Sequence, residues 1–237
     1  MIRLRHNAVT HVGHVRKVNE DSILALPDQR IFVVADGMGG HAAGDVASQT
    51  VVDAVAALPL DSDPHVQMQA LRNALQVAHE NLLCEIDTRG GVTMGATVVA
   101  LMISGPHFVC FWAGDSRLYR LRDGEIELLT ADHSIVGALV EAGQLSWDEA
   151  ENHPQSNAIT RAVGVGEELE LDKIRGNVVQ GDRYLICSDG LNKYAGLNTL
   201  RDAMLGAPIE TVTEKLLGIA LKGGGADNIS IIVVDAV

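Results

Sequence analysis

The order in which apolar patterns change period along this chain restricts its fold more than any single motif does. Residues 8 to 35 carry three short strand-like runs, AVTHVGHV, SILALP and RIFVVAD, separated by polar or proline-bearing turns. Residues 44 to 58 and 64 to 88 then switch to helical spacing, the second opening on Asp63-Pro64, a cap followed by a first-turn proline. Along it Leu71, Leu75, Ala78, Leu82 and Ile86 recur every three or four residues and mark one buried stripe. From 95 to 129 the pattern returns to strands (GATVVALMIS, HFVCFWAG, SRLYRLRDG, EIELLT), with Arg122-Asp123-Gly124 as a hairpin turn. Two short helices are expected within 134 to 152, strands around 168 to 178 and 182 to 188, helices near 197 to 205 and 208 to 221, and a last strand over 228 to 235. This order lacks the regular βαβ alternation of a parallel sheet. It predicts an antiparallel β-sandwich with helices on its outer faces, in one domain spanning 1–237.

Composition fits that expectation. With 47% hydrophobic residues and only 3% aromatic ones, the core must be built from Val, Leu, Ile and Ala. The formal charge of −13 makes the average surface repel polyanions, which argues against a nucleic-acid partner. Cys84, Cys110 and Cys187 are odd in number and form no CxxC pair, so they are expected to be reduced, buried thiols rather than a disulfide frame or a zinc knuckle. The N-terminus MIRLRHNAVT lacks the apolar core of a signal peptide and no apolar run approaches a membrane span, so no membrane partner and a cytoplasmic location are expected.

In IFVVADGMGGHAAGD an apolar strand ends in Asp36 and is followed by glycines. A dinucleotide site would place glycine where Asp36 stands, and a carboxylate facing pyrophosphate opposes binding. An aspartyl-nucleophile phosphatase would want a second Asp two residues on, where Met38 sits. What remains is a carboxylate on a metal, with the Gly37 carbonyl available beside it. Such a site needs companions, and Glu20, Asp21, Asp115, Asp189 and Asp227 lie in loops or at the ends of strand-like runs. An all-oxygen set of this kind selects hard octahedral ions, Mg²⁺ or Mn²⁺ over Zn²⁺.

Taken in order, RKVNED from Arg16, ADGMGGH from Ala35, GATVV from Gly95, AGDSRLY from Ala113, TADHS from Thr130, His153-Pro154, ITRAVG from Ile159, SDGL from Ser188 and ADNIS from Ala226 form one series. This series resembles the metal-dependent serine/threonine protein phosphatases of the 2C type, particularly the compact bacterial members, from about residue 8 to 235. The resemblance implies an α+β fold, a four-layer α-β-β-α sandwich of two antiparallel sheets flanked by helix pairs, with a flap insert at about 131–165. It implies two Mn²⁺ or Mg²⁺ ions. Asp36 would bridge both, Glu20 and the carbonyl of Gly37 would complete one, Asp189 and Asp227 the other, and Asp21 would hold water beside them. A third ion, frequent in bacterial members, would use Asp115 and Asp189.

The implied reaction is hydrolysis of phosphoserine or phosphothreonine esters by water, with Arg16 binding the phosphate through its fork of donors. Met38 cannot donate a proton to the leaving group, which leaves metal-bound water or His41 as the acid. His11 stands where relatives often carry Asp, and Ser156 where they often carry Arg. Asp132, His133, His153 and Asn157 match the flap beside the site. Partners implied are phosphorylated proteins, a cognate Ser/Thr kinase or its substrates and, in some relatives, secretion machinery. Two other readings stay open: a regulatory domain that keeps the fold and reads phosphoproteins, and a phosphatase of small phosphoesters.

Overall fold

The computed structural model describes residues 2–39, 43–61, 63–146, 149, 153–155 and 158–237. Strands β1 (Leu4–His11), β2 (Asp21–Leu26) and β3 (Ile31–Gly39) lead into helices α1 (Ala43–Ala56) and α2 (Pro64–Thr88). A run of strands follows: β4 (Met94–Ala96), β5 (Val98–Ser104), β6 (His107–Ala113), β7 (Arg117–Arg122) and β8 (Glu125–Leu128). After α3 (Ile135–Glu141) come β9 (Asp172–Asn177) and β10 (Arg183–Cys187). The chain closes with the single turn α4 (Asp189–Asn192), helices α5 (Leu197–Met204) and α6 (Ile209–Gly223), and β11 (Ile229–Ala236).

Two antiparallel sheets result, one ordered β1-β11-β10-β7-β8 and the other β2-β3-β5-β6-β9, with β4 appended to β3. Their central strands are apolar on both faces because each face has a layer to bury against. On β3, Ile31 and Val33 face α1 and α2, whereas Phe32 and Val34 face the other sheet. On β11, Ile231 and Val233 face α5 and α6, whereas Ile232 and Val234 turn inward. Three apolar layers therefore separate four layers of secondary structure, the expected α-β-β-α sandwich. Each fully covered Val, Ile or Leu contributes roughly 1.5–3 kcal/mol before chain entropy is counted.

Helix α2 begins where its cap predicts: the Asp63 carboxylate accepts a hydrogen bond from the His65 amide at 2.8 Å, and Pro64 follows. Two expectations shift. The first strand runs over Leu4–His11 rather than 8 to 15, because Gly13 turns the chain at φ +81°. Cys84 is exposed on α2, while Cys110 and Cys187 are buried. Gly223 to Gly225 close the end of α6, where the Gly225 amide donates to the Ala220 carbonyl at 3.0 Å and caps the helix. Most of the second short helix expected before 152 lies outside the described residues.

Candidate active site

One end of the sandwich gathers the acids. Asp21 opens β2 directly across from Asp36 on β3, so antiparallel register alone brings these two together. Asp115 follows β6, Asp189 follows β10, and Asp227 precedes β11, which places all three at strand ends on the same rim.

Specific contacts hold that rim. The Thr97 hydroxyl accepts from the Asp36 amide at 3.1 Å, while the Thr97 amide donates to the Asp36 carbonyl at 2.8 Å. Thr97 is the residue at which β4 and β5 part, so the break in the strand serves to fix Asp36. The Gly37 amide donates to the Glu20 carbonyl at 3.0 Å, and a Cβ on Gly37 would collide with the Gly44 carbonyl, so only glycine lets β3 and α1 meet here. A Cβ on Gly190 would likewise strike the Asn228 carbonyl, which keeps the Asp189 and Asp227 loops in contact.

Asn228, which the sequence reading passed over, is the clamp of this end. Its side-chain amide donates to the carbonyls of Val12 and Val18 at 2.9 and 3.0 Å, and its oxygen accepts from the Glu20 amide at 2.8 Å. It thereby ties the loop carrying Arg16 and Glu20 to the start of β11. Arg16 forms a fork on Asp227, Nε to Oδ1 at 2.8 Å and Nη2 to Oδ2 at 3.1 Å, and remains half exposed. The negative fields of Glu20 and Asp36 also reach it.

The electrostatics are those of crowded carboxylates. Burial pushes Asp21 up to about 7, and Asp189 and Asp227 push the same way, although the Ser188 hydroxyl donates to its Oδ2 at 2.7 Å. Burial and the charges of Asp189 and Asp132 push Asp115 up to about 7 as well. Asp36 reaches the surface in part, yet the surrounding protein excludes enough water to raise it well above the usual carboxylate range, helped by Asp21, Asp189, Asp115 and Asp227. A further residue absent from the sequence reading, Lys193, places its Nζ 2.6 Å from Asp189 Oδ2 and 3.5 Å from Asp227 Oδ2. Its i to i+4 spacing from Asp189 at the start of a helical turn was the available signal.

The donor set suits divalent cations. Oδ1 of Asp21 and Oδ1 of Asp189 are buried with no hydrogen-bond partner among the described residues, an expensive state for a carboxylate unless a cation meets it. Among the described residues, no three His, Cys, Asp or Glu side chains close into a preformed cage. The acids converge on one rim but are held by Ser188, Arg16 and Lys193 instead of by one another.

Residues 11–214 match the family described as Protein phosphatase 2C. The chain belongs to that family. It is 37% identical over 235 residues to the serine/threonine protein phosphatase PstP of Mycobacterium tuberculosis, covering 99% of this chain and 45% of PstP, so it spans about half the length of that curated relative. The solved structure of PppA, described as a key regulatory component of T6SS in Pseudomonas aeruginosa, superposes with a TM-score of 0.92 at 43% identity, covering 99% of this chain and 98% of PppA. The catalytic domain of PstP in complex with 2 manganese ions superposes with a TM-score of 0.88 at 35% identity over the whole of both chains.

Against the 2C family pattern, the segment from 131 to 165 is tied at both described ends. Asp132 is partly buried and accepts a fork from Arg117 at 2.9 and 2.7 Å. His133 stacks on Trp112 with ring centroids 5.9 Å apart, and its amide donates to the Gly114 carbonyl at 2.9 Å. At the other end Val163 bridges Ala96 on β4. Asp132 and His133 therefore anchor this segment to the strands. His153 accepts from the Gln155 amide through Nδ1 at 3.2 Å. His41, Ser156 and Asn157 lie outside the described residues.

Proposed function

We propose that this chain is a protein serine/threonine phosphatase that hydrolyses phosphoserine and phosphothreonine esters with two Mn²⁺ or Mg²⁺ ions held at the carboxylate rim. The observation that carries the reading is the pair of partnerless buried oxygens on Asp21 and Asp189, within a set of acids raised by burial and then by each other's charge. Asp36, Glu20, the Gly37 carbonyl, Asp189 and Asp227 would hold the two ions, with Asp21 orienting water next to them. When bound, such a pair lowers the pKa of water and neutralises charge on a phosphoryl group.

The remaining work falls to this chain's own side chains. Arg16 spends Nε and Nη2 on Asp227 and is half exposed, so its outward N–H groups can receive two phosphate oxygens at the mouth of the site. Ser188 donates to one oxygen of Asp21 and leaves the other free to accept from a water. Thr97 and Asn228 fix the backbones that carry Asp36 and Glu20, so the acids are positioned before substrate arrives. For proton delivery to the leaving alkoxide, His41 and solvent at the rim are the candidates from the motif.

The substrates on this reading are phosphorylated proteins made by a Ser/Thr kinase. Likeness to PppA, a regulatory component of a secretion system, supports a regulatory setting of the same kind. A cytoplasmic location is supported by three unpaired thiols, and among the described residues no helix is long and apolar enough to cross a membrane. Residues 1–237 would form one catalytic domain. The test is hydrolysis of p-nitrophenyl phosphate and of a phosphothreonine peptide with Mn²⁺, with and without chelator. Turnover of both, abolished by chelator, is expected. Failure on both would favour a domain that only reads phosphoproteins, and turnover of the small ester alone would favour a small-molecule phosphatase.

A further inference from the structure

Lys193 sits where the third ion of bacterial relatives would be sought. That ion's matching residues are Asp115 and Asp189. The Lys193 ammonium lies 2.6 Å from Asp189 Oδ2 and 3.5 Å from Asp227 Oδ2, and it interacts electrostatically with Asp115. The side chain is one-third exposed, and one helical turn carries both it and Asp189, so its reach into the acids is set by the backbone.

We infer that Lys193 is a built-in cation that takes the place of the third ion, so that the rim binds two exchangeable divalent ions and keeps its remaining positive charge covalently attached. Two physical arguments converge on this. A hard divalent ion bound through Asp115 and Asp189 needs carboxylate oxygens at about 2.1 Å, and an ammonium already in contact with Asp189 blocks that approach and repels the ion. Charge gives the second argument. Even with all six acids Glu20, Asp21, Asp36, Asp115, Asp189 and Asp227 ionised around bound metal, two divalent ions together with Lys193 and Arg16 neutralise them in full, which leaves nothing for a third ion to balance.

This inference rests on the two-ion reading of the site, and the experiment separates the two. Bound Mn²⁺ is counted by equilibrium dialysis and isothermal titration on the full chain, for wild type, Lys193→Met, Lys193→Arg and Lys193→Met/Asp115→Asn. Wild type and Lys193→Arg are expected to bind two ions. Lys193→Met should gain a third, at least about tenfold tighter than any third binding by wild type, and the added Asp115→Asn change should remove it. Lys193→Gln gives the same comparison should Met disturb packing. Equal stoichiometry in wild type and in both neutral variants would overturn the role of Lys193, whereas no saturable Mn²⁺ binding by wild type would overturn the two-ion reading itself.

Discussion

At one end of β10, Arg183 grips Asp235 through two hydrogen bonds of 2.5 and 2.7 Å and spends Nη1 on the carbonyls of Met204 and Ala207. At the other end the strand runs into Ser188 and Asp189, among acids that repel one another. The same contrast appears between Asp182 and Asp21. Burial works to raise Asp182, but Arg122, the Val179 amide and the Tyr184 hydroxyl outweigh it and hold the carboxyl below its ordinary range. Among the described residues Asp21 meets only hydroxyl donors, and burial pushes it up to about 7. A chain able to build complete bidentate partners at one end of its sheets leaves carboxylate oxygens unanswered at the other. The difference is the one expected of a rim that divalent cations would complete.

The largest effect expected on breaking this contrast is at Asp36. Asp36→Asn keeps the shape and removes a charge that would help hold the ions, so the Mn²⁺-dependent rate on p-nitrophenyl phosphate should fall by about a thousandfold or more. A residual rate within tenfold of wild type would remove Asp36 from the chemistry.

The far end should respond in the opposite manner. Arg183→Met leaves Asp235 and two carbonyls without their partner and should lower unfolding free energy by about 3 kcal/mol in urea melts. Its Mn²⁺-dependent rate per folded molecule should stay within about twofold of wild type, since nothing at the rim changes. A matched loss of rate would show that the two ends are not separable.

A smaller effect distinguishes the ends by pH. Asp21 and Asp115 are pushed up to about 7 in the folded chain, against about 3.9 for an unfolded Asp. Between those values the folded state binds more protons than the unfolded one. Their contribution to stability therefore declines as pH rises through this window and stays lost above about 7. Asp182 runs the other way, its contribution present above the unfolded value and lost as pH falls through its lower folded value. Metal-free protein should thus be more stable at about pH 5.5 than at about pH 8, by on the order of 1–2 kcal/mol, as read by urea melts in chelator. Replacement of Asp115 by Asn should flatten the slope, and a profile rising from pH 5.5 to 8 would contradict the assignment.

Much of this was legible in the residues themselves. Strands such as β5 and β11 carry apolar runs, Val98 to Ile103 and Ile231 to Val234, because both faces are buried there, and the strand and helix order argued against a parallel sheet without any coordinates. The acids were legible because several of them follow or precede such a run closely. Less legible were features set by distant partners. Alternation in THVGHV reads as strand, yet Gly13 turns there so that its backbone can rest on Asp227. Thr97 looks like one residue in a continuous strand, but its hydroxyl is committed to the Asp36 amide and to Ser116 at 2.7 Å. Asn228 in ADNIS reads as a turn former, and only the fold brings Val12 and Val18 to it from more than two hundred residues away. Cys84 reads as a small apolar residue, but it lies on an exposed face of α2.

The most direct measurement is the melting temperature of the full chain titrated with Mn²⁺ after exhaustive chelation. If the rim is a cluster of acids awaiting divalent ions, Tm should rise saturably by several degrees, return on adding chelator, and lose most of its rise in Asp36→Asn. A melting temperature indifferent to Mn²⁺ and Mg²⁺ across the micromolar to millimolar range would contradict the account.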